Sequence, residues 1–136
     1  MMNYYPPLED EKIYHIYNRG INGENIFKEE RNYAFFLKRY AHYLSYVVDT
    51  FAYCLLKNHF HLLVRIKSEK ERTQIRKKTT LKNDKYIILS PNRQFGHLFS
   101  SYTQTINKAY NRTGTLFEQP FHRIEVDESI YFTNMI

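Results

Sequence analysis

The first pattern along the chain is a run of β-formers, Lys12 to Asn18 (Lys-Ile-Tyr-His-Ile-Tyr-Asn), that stops at the turn pair Arg19-Gly20 and predicts a first strand. Ile21 to Lys28 is a polar connection carrying Gly23. From about Glu29 the spacing becomes helical, with Tyr33, Phe36, Leu37, Tyr40 and Leu44 falling on one face. Val47 to Leu56 returns to β-type composition and predicts a second strand. Lys57-Asn58 is a tight connection, and His59 to Lys67 predicts a third strand. Alternation there sends Phe60, Leu62, Val64 and Ile66 to one face and His59, His61, Leu63 and Arg65 to the other.

Further on, Phe95, Leu98, Phe99, Tyr102, Ile106, Ala109 and Tyr110 form a second helical stripe, closed by a helix stop over Asn111 to Gly114. Leu116 to Val126 reads as a fourth strand, with Pro120 marking an edge position or a bulge. Asp127 suits the N-cap of a last helix, which the sequence cuts short at Ile136. The order β-α-β-β-α-β is the ferredoxin-like α+β plan, an antiparallel sheet with two helices on one face and the other face open. At 136 residues the whole chain, 1–136, is read as one domain.

The stretch from about 68 to 93 has no amphipathic period long enough for a helix and reads as an exposed basic connection. Between Arg65 and Lys78 lie seven basic and two acidic residues, so this segment holds most of the chain's +6 formal charge. Hydrophobic residues at 43% and charged residues at 25% exclude disorder as the main state. The short apolar runs exclude a membrane span, and Met1 to Asp10 lacks the features of a signal peptide. The lone Cys54 closes no internal disulfide, which suits a reducing cytoplasm. Thirteen Tyr and ten Phe beside excess positive charge suit a nucleic-acid partner, although the same rings also fill cores.

Strand three carries the most informative chemistry. His59 and His61 stand side by side on the open face with Cβ atoms roughly 7 Å apart, close enough to converge on one divalent cation. Such a pair needs further ligands, and two histidines on a half-exposed strand can equally bind nothing. Imidazole suits zinc; Mg²⁺ or Mn²⁺ suits a site that handles phosphate. His15, His42, His97 and His122 have no such spacing and are read as structural.

Three blocks extend this reading: Tyr14-His15-Ile16-Tyr17-Asn18-Arg19-Gly20, Leu55-Leu56-Lys57-Asn58-His59-Phe60-His61-Leu62-Leu63-Val64, and Tyr110-Asn111-Arg112 through Gly114-Thr115-Leu116-Phe117. In this order the sequence resembles the single-tyrosine transposases of the His-hydrophobic-His class, and most of all their REP-associated branch. The resemblance implies a nuclease domain that cuts and rejoins single-stranded hairpin DNA. It implies that His59 and His61 hold Mg²⁺ or Mn²⁺ and that a tyrosine on a C-terminal helix forms a 5′-phosphotyrosine link. That tyrosine, in a motif of the form Tyr-Ile-x-x-Asn-Pro, and a third metal ligand a turn later would fall beyond Ile136. Tyr131 is the one tyrosine on the final fragment, about a turn and a half early, and is a weak candidate for the nucleophile. A truncated transposase, a gene remnant and a complete protein that binds DNA without cutting it are the readings left open.

Arg19, Arg65, Arg76, Lys77, Lys78 and Arg123 are the candidates for phosphate contact. The chain is expected to act as a monomer or a homodimer; the REP-associated branch implies a monomer. An alternative is a non-catalytic single-strand-binding module of the RNA-recognition type, with Tyr14 or Tyr17 offering open-face aromatics. A zinc-stabilised interaction domain is the third reading and has the least support, with one Cys and one His-x-His pair.

Overall fold

Strand β1 (Ile13–Arg19) puts period-two alternation to use: Tyr14, Ile16 and Asn18 are buried on one face, while His15, Tyr17 and Arg19 point to the other. The structure, a computed structural model, describes residues 5–75 and 86–126. Helix α1 (Glu30–Leu44) opens on a capping box in which Glu29 and Asn32 satisfy each other's free backbone N–H groups, and it buries Asn32, Phe36, Tyr40 and Leu44. Next come β2 (Val48–Leu56) and β3 (His59–Ile66), then a short helix α2 (Glu69–Arg72), β4 (Thr73–Ile75), β5 (Tyr86–Ile88), α3 (Pro91–Ala109) and β6 (His122–Glu125).

The main sheet runs β2-β3-β1-β6, every neighbouring pair antiparallel. Both long helices lie on one face, as the ferredoxin-like plan requires. The core between them and the sheet is built largely of rings. Phe36 meets Phe60 and Tyr102 at 5.3 Å each, and Phe99 meets Phe117 at 5.0 Å. The hydroxyl of fully buried Tyr102 donates to the Ile26 carbonyl at 2.6 Å, so its polar tip is satisfied. Among the described residues no helix is long and apolar enough to cross a membrane.

Two elements differ from the sequence reading. The fourth strand was expected over Leu116 to Val126, but β6 spans only His122–Glu125. Leu116, Phe117 and Phe121 are apolar because a loop carries them into the core, where Phe121 lies 5.1 Å from Phe95. An isolated bridge, Gly20 to Phe117, and the Asn18 side-chain N–H donating to the Glu118 carbonyl at 3.0 Å tie this loop to the sheet before a cis Gln119–Pro120 peptide. The basic connection also has ordered roots. Ser68 and Glu71 form a capping box on α2, β4 pairs with β5, and Ser90 caps α3 with Pro91 in its first turn. Arg72 is buried between these roots, donating to Asp10 at 2.6 Å, to the Leu89 carbonyl at 2.9 Å, and to the Lys67 carbonyl. The middle of that connection and the expected last helix from Asp127 lie outside the described residues.

The turn after β1 is held from several sides. The Gly20 N–H donates to the Asn58 carbonyl at 2.9 Å, and the Ile21 N–H donates to the Leu116 carbonyl at 2.8 Å. Glu24 N–H closes the turn onto Ile21. A side chain at Gly20 would run into the Glu24 carbonyl and would also press on Ile26. The Arg112 fork then grips the Glu24 carboxylate, with Nη2 to Oε1 at 2.8 Å, and also donates to the Gly114 and Thr115 carbonyls. Lys28 reaches the same carboxylate at 2.7 Å.

Arg112 and Lys28 hold the Glu24 carboxyl down at about 2, against an ordinary 4.5. Its folded-state value is depressed, so its contribution is complete above about pH 4.5 and is lost as the pH falls through about 2. Glu24→Gln is expected to cost about 1–3 kcal/mol at pH 7, a gap that closes as the pH approaches 2. Urea melts of both proteins across that range measure it; a gap independent of pH would reject this account.

Candidate nucleic-acid interface

The strand register assembles the open face. His61 lies opposite Tyr17 on β1 and opposite Cys54 on β2, and Tyr17 in turn lies opposite His122 on β6. Directly paired residues share a face. A single row, Cys54–His61–Tyr17–His122, therefore crosses the four strands. His59 and Arg19 form the next pair along. Tyr17 stacks on His122 with ring centres 4.8 Å apart and planes within 10°, and it also faces His61 at 5.9 Å. Tyr5 from the N-terminal segment covers the end of the row, its hydroxyl 3.2 Å from His122 Nε2. A recess of about 600 Å³ opens over these rings, bordered by Asn58, His59 and Arg19.

The two motif histidines are oriented by neighbours. His59 Nδ1 lies 2.8 Å from Asn58 Oδ1; a carboxamide oxygen only accepts, so Nδ1 donates, and in the neutral ring Nε2 then carries the lone pair. His61 Nδ1 lies 2.8 Å from His15 Nε2. Burial, with the neighbouring ring adding to it, pushes both His15 and His61 below the usual imidazole range, so both favour the neutral form.

The rings of His59 and His61 are perpendicular, with centres 5.2 Å apart. An imidazole bonded to a metal at ~2.1 Å has its centre roughly 3.2 Å from the ion, so right-angle to tetrahedral ligation spaces two ring centres by roughly 4.5–5.3 Å. The spacing of the two ring centres matches that of two adjacent ligands around one divalent cation. No cluster of three His, Cys, Asp or Glu side chains that could hold an ion occurs among the described residues. The pair leaves the rest of such a shell to other donors.

The other sequence candidates are placed as follows. Arg19 is exposed at the rim of the recess, with Nε 2.8 Å from Glu118. Arg65 is on the open face but faces Asp49 at 2.8 Å, Glu71 at 3.0 Å and Glu11 at 3.6 Å, so carboxylates already surround its charge. Arg123 is on the helix side: it donates to Asn92 at 2.7 Å, its guanidinium lies 4.5 Å over the Phe121 ring, and its buried Nε has no hydrogen-bond partner among the described residues. Burial there lowers its pKa. Arg76, Lys77, Lys78 and Tyr131 lie outside the described residues. Tyr14 points into the core and Tyr17 onto the open face.

His15 and His122, read as structural from their spacing, stand on the open face beside the motif pair; their i, i+2 relation to Tyr17 and Ile124 within strands is the signal that placed them there, but only the register brings them to His61 and Tyr17. The block around Arg112 does not reach the open face. It closes the turns at the ends of β1 and α3.

The sheet order and its two helices define a ferredoxin-like domain, with the histidine pair on the sheet face opposite the helices. No protein-family model matches the chain, and no curated protein does. Among solved structures, a REP-associated tyrosine transposase bound to a REP hairpin is similar, with a TM-score of 0.62 and 8% identity, covering 100% of this chain and 68% of that one. The chain has that protein's fold, and it is the same branch that the three sequence blocks resemble.

Proposed function

We propose that this chain is a transposase-like domain that binds single-stranded hairpin DNA on the open face of its sheet. The observation that carries the reading is the row of rings beside the His59–His61 pair, on a fold shared with a transposase solved with a hairpin. Each residue has a physical part. Tyr17 and His122, packed ring on ring, line the recess where an unpaired base would lie, and Arg19 at the rim offers a cation to the backbone. His59 and His61 would hold a Mg²⁺ or Mn²⁺ ion through their Nε2 atoms. Such an ion, when bound, polarises a scissile phosphate and steadies charge on the leaving oxygen.

Cleavage would further require a tyrosine. Its oxygen would bond to phosphorus as the bond to the 3′ oxygen breaks, giving a 5′-phosphotyrosine and a free 3′-OH. The resemblance puts that residue beyond Ile136, on a helix that follows β6. Tyr17 on the open face also supports a second reading, a single-strand-binding module that cuts nothing; a covalent protein–DNA adduct formed in the presence of Mn²⁺ would exclude it.

The test is fluorescence anisotropy with a labelled DNA hairpin bearing an unpaired arm. The hairpin should bind more tightly than the same length fully base-paired, and Tyr17→Ala should weaken it about tenfold, because it removes the ring between His61 and His122 that lines the recess. Equal affinity for the fully paired duplex would end the proposal.

A further inference from the structure

The two motif histidines have their Nδ1 atoms engaged in different ways. His59 has its Nδ1 held by Asn58, the residue before it in the hairpin turn. His61 has no such neighbour on its own strand. Its Nδ1 meets His15 Nε2 at 2.8 Å, from the middle of β1. His15 sits diagonally across from His61, because Tyr17 is the direct partner of His61 and Leu63 that of His15.

A hydrogen bond between two neutral imidazoles has one donor, and its direction decides what His61 offers the recess. If His15 donates, His61 carries its proton on Nε2 and presents an N–H. If His61 donates from Nδ1, its Nε2 keeps a lone pair, as at His59. Only the second arrangement gives two lone pairs on rings 5.2 Å apart. We propose that His15 is a positioning residue: it accepts the Nδ1 proton of His61, and so fixes the ring in the form that can ligate a divalent cation. The ligation part rests on the reading of His59 and His61 as metal ligands. A hydrogen bond of this kind from outside the ligand set is typically worth ten- to a hundredfold in metal affinity.

Two variants separate the hydrogen bond from the packing. His15→Phe keeps a ring 5.0 Å from Tyr17 but has no acceptor, and His15→Gln keeps a carbonyl acceptor. Ring-nitrogen NMR of the metal-free protein reads the His61 tautomer, and calorimetry with Mn²⁺ alone reads affinity. The proposal expects His61 as the Nδ1–H form in the wild type and in His15→Gln, and a shift toward Nε2–H in His15→Phe. It expects Mn²⁺ affinity about tenfold lower in His15→Phe, largely restored in His15→Gln. A wild-type His61 protonated on Nε2 overturns it, and that measurement stands even if a variant fails to fold. A shifted tautomer with unchanged Mn²⁺ affinity overturns the positioning role. His61→Ala with unchanged Mn²⁺ affinity overturns the metal reading instead, and the wild-type tautomer then still decides which ring donates.

Discussion

Gly20→Ala is expected to lower the stability of the domain by about 2–4 kcal/mol. Its backbone is an ordinary extended one, φ −65° and ψ 142°, so the cost comes from contact and not from strain. A methyl group there meets the Glu24 carbonyl, which is main chain and cannot rotate away. Moving that carbonyl disturbs the turn that Glu24 N–H closes onto Ile21, while the Gly20 N–H is tied to Asn58. The hydrogen bonds of the turn and the close packing at Ile26 would both suffer. Urea denaturation measures the loss, and a change under about 0.5 kcal/mol would show that the turn yields freely. Because Asn58 also orients His59, the same variant should loosen one of the two motif rings.

Replacing both His59 and His61 with alanine is expected to abolish Mn²⁺ binding by calorimetry and to leave the fold intact. Both side chains are half-buried on the open face, away from the ring core that holds the helices to the sheet. Removing them takes away both imidazoles, whose ring centres stand 5.2 Å apart, and among the described residues no group of three or more His, Cys, Asp or Glu could hold the ion instead. Each single substitution should weaken binding at least tenfold, since one imidazole alone is a poor anchor for such an ion. Unchanged affinity in the double variant would move the cation elsewhere or remove it from the account.

Much of this fold was legible along the chain, and the exceptions have physical causes. The alternation in β3 and the helical stripe of α1 give their elements directly, because one face of each is continuously buried. Helix α3 begins at Pro91, ahead of its apolar stripe at Phe95, because Ser90 and Pro91 start a helix by capping and fixed φ without any hydrophobic period. The segment from Leu116 to Phe121 imitates a strand because a loop entering a core needs apolar residues as much as a strand does. At the open face, the His-x-His pair was readable within one strand. The contributions of His15 and His122 depend on pairing across strands, which spacing along a single segment does not contain.

The row across the sheet also ends in a thiol. Cys54, the chain's one cysteine, is exposed and lies directly opposite His61 on the outer strand, with Cβ atoms roughly 5 Å apart. The protein thus carries a unique natural address for a reporter group next to its histidine pair. A dye or spin label attached there would sit at the mouth of the ring row without any engineered cysteine, and a paramagnetic ion or a stacked base arriving beside it would be registered at one known point.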